Sequence, residues 1–310
     1  LSLVGSEMCI RDRCTSEIVA HDDVSQVAGL TGAQWTKLGA AGITTLADLA
    51  QRGGTVAGVV DGAVDAAVDA AVDSTVAGIA PSTLDALRLQ ASLQLEANGA
   101  PVGTPPPVYV RAASALHALP VANPGDLYFD FEGDPLYTEH DPTRWGIDYL
   151  FGMVDARSEF TTYWAHNFGE EKDALVAFLA DVEARRAIHP DLHVYHYASY
   201  ERTHMRSLVA RHGVGEATVD EWLRSGLLVD LYPVVRNALR IGSPSYSIKY
   251  LEPIYWREAR DGAAVARGDD SIAEYIRSRE LRDAGELGAA QTILDDIGDY
   301  NRVDCVSTLR

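Results

Sequence analysis

A chain of 310 residues with 47% hydrophobic and 23% charged residues has the composition of an ordinary globular protein. Its formal net charge of −19 argues against broad electrostatic binding to nucleic acid, although metal ions and local basic patches can still dominate at one site. No apolar run approaches the roughly 20 residues of a membrane span, so we expect no membrane partner. Cys9, Cys14 and Cys305 are too scattered for a disulfide framework or a zinc site and favour a reducing, cytoplasmic location.

Both ends of the chain look unlike natural termini. The chain starts at Leu1 rather than at methionine, and residues 1–13 resemble a spurious translated tag found at the ends of gene models from environmental sequencing. The last residue, Arg310, falls inside a helical pattern. We therefore expect a tag over 1–13 and a chain that is a fragment of a longer protein.

Residues 14–52 predict short helices with a glycine turn between them, similar to a helix-hairpin-helix element. In such an element the turn lets backbone amides approach a phosphate without reading sequence. The alternative is a plain helix start with Thr44 or Thr45 as the N-cap. Both interpretations stay open from the sequence.

Residues 53–124 predict a low-complexity linker, a helix and a stiff connector. Asp61, Asp65, Asp69 and Asp73 recur every four residues, which is typical of a solvated helix or linker and lacks the glycine-turned loop of a calcium site. We expect Ser82 to cap a helix that continues to about residue 96. The proline-rich stretch 103–107 then marks a domain boundary.

The stretch Leu-Tyr-Phe-Asp-Phe-Glu-Gly-Asp-Pro over 127–135 predicts a strand, because apolar and polar residues alternate with period two. This alternation places Asp130 and Glu132 on one face, about 7 Å apart along the strand. Gly133 and Pro135 are expected to end the strand there. Two acids on one face are costly to bury unless a proton or cation compensates them, but solvated acids at a strand end would look the same.

The following residues alternate between strand and helix patterns. We expect strands at 149–155, 160–165, 192–196 and 227–231, and helices at 169–186, 199–211 and 233–239. Asp230 would be an acid at the N-terminus of the last of these helices. Three strands followed by alternating helix and strand predict an α/β fold, a mixed sheet flanked by helices.

The last helix carries an acid on its apolar side. At 100° per residue Ile293, Ile297, Tyr300, Asp304 and Thr308 fall on one stripe. Asp304 should therefore point toward the sheet, and no basic partner for it is obvious in the sequence. A buried structural hydrogen bond is the alternative to a functional role.

A further acid, Glu201, lies where a strand ends and a helix begins. A glutamate in the first helical turn is common because it interacts favourably with the helix dipole. Only its combination with Asp130, Glu132 and Asp304 suggests a shared site.

This set of motifs resembles the RNase H-like DEDD exonucleases. Asp130 and Glu132 match the Asp-x-Glu motif, and residues 196–201 match a motif close to His-Asn-x-x-Phe-Asp. Tyr300 lies four residues before Asp304, as in the tyrosine-type subclass. The resemblance covers 125–310 and implies an RNase H-like domain there.

More narrowly, the chain resembles the RNase H-like domain of bacterial RecB-like nuclease proteins. The shared stretches are DFEGDP, HYASYE, VDLYPVVRNALR, SYSIKYLE and YNRVDC. The resemblance implies a RecB-like nuclease domain and a superfamily 1 helicase domain in the full-length protein, and a role in DNA repair.

The resemblance also implies a mechanism. Two Mg²⁺ or Mn²⁺ ions, about 4 Å apart, would be held by Asp130, Glu132, Glu201 and Asp304. Tyr300 would orient the attacking water or help to deprotonate it, whereas the alternative is a core tyrosine with a satisfied hydroxyl. Glu201 replaces the aspartate of the family motif, so its side chain reaches about 1.5 Å further.

These observations predict a metal-dependent nuclease, a 3′→5′ exonuclease on single-stranded DNA. The alternatives are a non-catalytic nucleic-acid-binding module that retains the fold, and a ribonuclease. The net charge favours the non-catalytic module, whereas the four acids together with Tyr300 favour catalysis.

Overall fold

The computed structural model describes residues 18, 20–51, 75–141, 143–257, 260 and 268–310. The predicted tag and all four aspartates of the repeat lie outside these residues. The chain forms two compact units: the first contains 1–112 and 239–254, and the second contains 113–238 and 255–310. Residues 239–254, which the sequence assigned to the nuclease domain, thus belong to the first unit. Within the described ranges, no helix has both the length and the apolarity needed to cross a bilayer.

The described helices and strands follow one another along the chain. In order they are α1 (Gly32–Ala40), α2 (Leu46–Gln51), α3 (Pro81–Gly99), β1 (Val108–Val110), β2 (Leu127–Asp134), β3 (Ile147–Asp155), β4 (Phe160–Trp164), α4 (Phe168–Ile188), β5 (Val194–His196), α5 (Tyr200–His212), α6 (Glu216–Ser225), β6 (Leu228–Asp230), α7 (Leu231–Ala238), β7 (Leu239–Ile241), α8 (Ile248–Tyr255), α9 (Gly268–Asp283) and α10 (Leu287–Leu309). Short 3₁₀ helices cover Val24–Gln26 and Ala113–Ala118.

The first unit packs α1, α2 and α3 around a small apolar core. Its fully buried residues include Leu38, Ile43, Leu46, Leu49 and Leu84. Thr45 Oγ1 accepts a hydrogen bond from the Asp48 amide at 3.0 Å, which confirms Thr45 as the residue that caps α2.

The helix predicted from Ser82 begins one residue earlier. Pro81 occupies the first helical position, where its missing N–H costs nothing. Ala80 is the N-cap and makes no side-chain capping bond, so the expectation that Ser82 caps the helix was wrong. In the same unit β1 and β7 pair antiparallel, a pairing that the sequence patterns did not predict.

The second unit is built on a five-stranded mixed sheet with the order β4-β3-β2-β5-β6. Strands β2, β5 and β6 are parallel, whereas β3 runs antiparallel to β2 and β4. This confirms the predicted α/β fold with a mixed sheet flanked by helices. The carboxyl ends of β2, β5 and β6 meet at one edge, where ligands commonly bind in open α/β sheets.

Strand β2 ends directly before Pro135, one of the two residues expected to end it. It continues through Gly133 to Asp134. The register against β3 shifts between Glu132 and Gly133. Such an irregularity lets a strand bend and continue, and it re-aims the neighbouring side chains.

The apolar side chains of β2 pack against α4. Phe129 and Phe178 stack with their ring centroids 4.6 Å apart, and Phe131 meets Phe151 edge to face at the same distance. Trp222 of α6 is fully buried in the same core and donates a hydrogen bond to Glu183 at 2.6 Å. This core covers one face of β2 and leaves Asp130 and Glu132 on the other.

A buried carboxylate ties three elements of this unit together. Glu171 of α4 is fully buried and accepts hydrogen bonds from the Asp148 amide at 2.7 Å and from Arg211 Nη1 at 2.9 Å. His212 Nε2 lies 2.6 Å from its other oxygen. Since a buried charge is tolerated only when it is paired, this cluster holds α4, α5 and β3 in register.

Candidate metal centre

Three carboxylates of the second unit converge beside β2. Asp130 and Glu132 come from β2 and Asp304 from α10, and each offers an oxygen within 4.8 Å of the others. Glu132 and Asp304 are buried and Asp130 is half-buried. The structure therefore brings together three of the five residues that the sequence singled out, from opposite ends of the unit.

The apolar stripe of α10 is confirmed. Ile293, Ile297, Tyr300, Asp304 and Thr308 are all buried. The sequence suggested no basic partner for Asp304, but Arg260 forms an ion pair with its carboxylate. The Arg260 guanidinium also lies 5.1 Å from the centre of the Tyr300 ring.

Asp130 is held by a residue of α10 that the sequence pattern did not predict. Asn301 Nδ2 donates a hydrogen bond to Asp130 Oδ2 at 2.9 Å, and Asn301 is fully buried. Gly152 of β3 lies directly opposite Asp130 in the sheet. A Cβ atom on Gly152 would lie 1.6 Å from Asn301 Oδ1, so only glycine leaves room for this contact.

Glu132 is held by a similar contact from α9. Ser271 Oγ donates a hydrogen bond to Glu132 Oε2 at 2.7 Å and lies 3.0 Å from the Tyr149 hydroxyl. Ser271 and Tyr149 are fully buried. The Glu132 carboxylate is thus oriented from the core of the unit.

Glu201 lies at the edge of this cluster. It occupies the first turn of α5 and is buried, and its charge is one of those that raise the pKa of Asp130. His196 Nδ1 lies 3.2 Å from Glu201 Oε2. Glu201 is not part of the group whose oxygens all lie within 4.8 Å of one another.

The acids repel one another. Burial raises the pKa of Asp130 well above its usual value, and the charges of Asp304, Glu132 and Glu201 raise it further. Burial and the charge of Asp304 likewise raise the pKa of the Tyr300 hydroxyl. The cluster therefore carries more negative charge than its surroundings compensate, which favours a cation or a proton.

The residues present fit a divalent cation. The donors are carboxylate oxygens, the ligands that Mg²⁺ and Mn²⁺ prefer. Hydrogen bonds from Asn301 and Ser271 fix two of the donors, as partners outside the ligand set commonly do at metal sites. This cluster of acids could hold metal ions.

Asn301, Ser271 and Arg260 were not predicted from the sequence as members of the site. One sequence feature pointed toward the contact made by Asn301. Gly152 interrupts an apolar strand, and an isolated glycine there indicates the close approach of another group. Ser271 and Arg260 come from α9 and the residues before it, and no pattern in the sequence points to their partners.

Comparison with known protein families places the cluster within a known family. The RNase_H_2 family of the RNase H superfamily matches residues 127–310, which include every residue of the cluster. Comparisons with curated proteins and with solved structures gave no match.

Proposed function

Because the chain belongs to the RNase H superfamily, whose members are generally nucleases, we propose that it is a metal-dependent nuclease that hydrolyses phosphodiester bonds. The observation that carries this proposal is the convergence of Asp130, Glu132 and Asp304 within 4.8 Å. The finer assignment, a tyrosine-type DEDD 3′→5′ exonuclease acting on single-stranded DNA, is supported by the position of Tyr300 four residues before Asp304.

The four acids would hold the metal. Asp130, Glu132 and Asp304 would supply the central ligands, and Glu201 would join them from the edge of the cluster, where its charge acts on Asp130. When bound, two Mg²⁺ or Mn²⁺ ions supply charge stabilisation of the phosphoryl group and a lowered pKa for the attacking water.

Tyr300 is suited to orienting the attacking water. Its ordinary pKa near 10 already keeps the hydroxyl protonated at neutral pH, and burial beside Asp304 raises that pKa. A protonated hydroxyl can accept and donate hydrogen bonds to a water molecule but does not act as a strong base. We therefore favour orientation of the water over its deprotonation.

The cellular setting of the proposal rests on the sequence motifs. The stretches shared with RecB-like nuclease proteins support a larger cytoplasmic nuclease–helicase protein that acts in DNA repair. Because a net charge of −19 disfavours binding to the phosphate backbone, such domains would supply part of the affinity for nucleic acid.

A second candidate is a non-catalytic nucleic-acid-binding module. One observation favours it: Arg260 already neutralises Asp304, as would suit a protein that no longer binds metal. The two candidates differ in whether metal binds and whether substrate is cut.

The test is degradation of 5′-labelled single-stranded DNA and RNA with Mg²⁺ or Mn²⁺, together with calorimetric titration of Mn²⁺. The wild-type protein should bind Mn²⁺ and shorten DNA from its 3′ end, and Asp130→Asn and Asp304→Asn should abolish cleavage. Asp299→Asn is the matched control, because Asp299 is an exposed acid on the same helix as Asp304 and pairs only at the surface with Arg302.

Each outcome separates the candidates. A ladder on RNA alone would identify a ribonuclease. Intact substrate that nevertheless binds the protein would support the non-catalytic module. A wild-type protein that neither binds Mn²⁺ nor cuts either substrate would refute the nuclease.

A further inference from the structure

The turn that carries Glu201 contains a residue in an unfavourable backbone conformation. Ala198, between β5 and α5, has φ of +75°, in the left-handed region. A residue with a Cβ atom is disfavoured there because that atom crowds the following carbonyl. Such a conformation persists only where surrounding contacts enforce it, and it clusters at functional sites.

Hydrogen bonds hold Ala198 on both sides. Its amide donates to Asp230 Oδ1 at 2.9 Å, and its carbonyl accepts from His196 Nδ1 at 2.8 Å. Asp230 is itself fixed, because the same oxygen accepts the Tyr232 amide at the start of α7 at 2.9 Å. His196 and Asp230 are paired neighbours at the ends of the parallel strands β5 and β6.

This arrangement reaches the carboxylate cluster. His196 is fully buried, and its Nδ1 that bonds the Ala198 carbonyl is also 3.2 Å from Glu201 Oε2. The charge of Glu201 in turn acts on Asp130. The conformation of Ala198 sets where α5 begins and therefore where the Glu201 side chain starts.

We propose that Asp230 and His196 are positioning residues that force Ala198 into the left-handed conformation and thereby bring the Glu201 carboxylate to Asp130. The role of Glu201 in holding metal rests on the proposed function, whereas the forced turn itself does not. Asp230 thus does more than satisfy the N-terminus of α7, the role that the sequence predicted for it.

The experiment compares Asp230→Ala with the double variant Asp230→Ala/Ala198→Gly in Mn²⁺ titration. Losing Asp230 should lower Mn²⁺ affinity about tenfold, the usual effect of removing a group that orients a metal ligand. Glycine adopts positive φ about as readily as negative φ, so Ala198→Gly should restore most of that affinity without the Asp230 carboxylate.

Asp126→Ala is the matched control for Asp230→Ala. Like the half-buried Asp230, Asp126 accepts two backbone amides, those of Asn123 and His193 at 2.8 Å each, and it is fully buried. It lies before β2, away from the carboxyl ends of the strands. Its loss should lower the thermal midpoint and leave Mn²⁺ affinity within about twofold of wild type.

Thermal midpoints test the turn without metal. Ala198→Gly alone should not lower the midpoint, whereas Ala177→Gly, at an exposed position inside α4, should lower it because glycine is a poor helix former. Ala198→Gly should also recover part of the midpoint lost in Asp230→Ala. An equal loss in Ala198→Gly and Ala177→Gly would overturn the proposal.

Metal titration provides the other decisive outcomes. Wild-type affinity in Asp230→Ala, or a double variant as weak as Asp230→Ala, would show that Asp230 does not act through Ala198. A wild-type protein that binds no Mn²⁺ would refute the proposed function and the ligand role of Glu201. The thermal midpoints would still show whether the surrounding contacts force Ala198 into its left-handed conformation. Circular dichroism at the assay temperature confirms that each variant is folded.

Discussion

Replacing Gly152 by alanine tests how Asp130 is held. The new Cβ would lie 1.6 Å from Asn301 Oδ1 and 3.1 Å from a ring carbon of Phe160. The 1.6 Å separation is far shorter than any van der Waals contact, so the Asn301 side chain must rotate away from β3, whereas the Phe160 ring need shift only slightly. Its hydrogen bond to Asp130 Oδ2, 2.9 Å long, is then lost.

The magnitude follows from the burial of Asn301. The displaced amide stays buried without its partner, which costs about 1–3 kcal/mol. An extra methyl in a filled core costs about 1–3 kcal/mol more. Gly152→Ala should therefore lower the free energy of unfolding by roughly 2–6 kcal/mol, a large part of the 5–15 kcal/mol of a typical domain. Because Asp130 loses its orienting partner, Mn²⁺ affinity should also fall by about tenfold or more.

Urea denaturation measures the stability and calorimetric titration the metal affinity. Gly298→Ala is the matched control, since Gly298 lies inside α10 and its added Cβ would meet only Trp164, at an ordinary 3.7 Å. That variant should gain up to about 1 kcal/mol from better helix propensity. If Gly152→Ala were as stable as wild type and bound Mn²⁺ equally well, Asn301 could not lie between Gly152 and Asp130.

Three further predictions concern charge. Burial and its acidic neighbours raise the pKa of Asp130 in the folded protein above the usual 3.8. Without metal, the contribution of protonated Asp130 to stability is therefore complete below pH 3.8 and is lost as the pH rises through the pKa of the folded state. Asp130→Asn should reduce the decrease in urea midpoint between pH 4 and 7, measured with a chelator present. An unchanged pH dependence would contradict a raised pKa for Asp130. Arg260→Gln should bind Mn²⁺ several-fold more tightly in calorimetry, because the guanidinium no longer competes for Asp304, and weaker binding would refute this competition. Glu171→Gln should lose about 3–5 kcal/mol in urea denaturation by leaving Arg211 without its buried partner, and a loss below about 1 kcal/mol would show that the pair is dispensable.

Local patterns predicted the five strands of the sheet in the second unit, the helices α4, α5, α7 and α10, and three members of the acidic cluster, but not α6 or α9. The alternation around Phe129 and Phe131 and the stripe of α10 through Asp304 each depend on the period of one element. Such a period shows which face a side chain occupies. It does not show what lies opposite that face.

The contacts that hold the cluster could not be predicted in the same way. Arg260 and Ser271 meet partners that lie far away in sequence, and neither position stands out in a local pattern. The left-handed conformation of Ala198 is also invisible in the sequence, because alanine does not favour it and distant contacts impose it. Only Gly152 offered a local sign of its partner.

The span of sequence between Asp130 and Asn301 has a consequence for folding. These residues bond across 171 positions, so the cluster can form only after the last helix has docked on the first strand of the unit. Contacts of such long range close late and slow folding. A cation bound there would stabilise only the fully assembled unit, by about 1.4 kcal/mol for each tenfold excess of free ion over its dissociation constant. Divalent ions should accordingly slow hydrogen exchange in the whole core of β2, β3 and α10 together, including amides distant from the carboxylates.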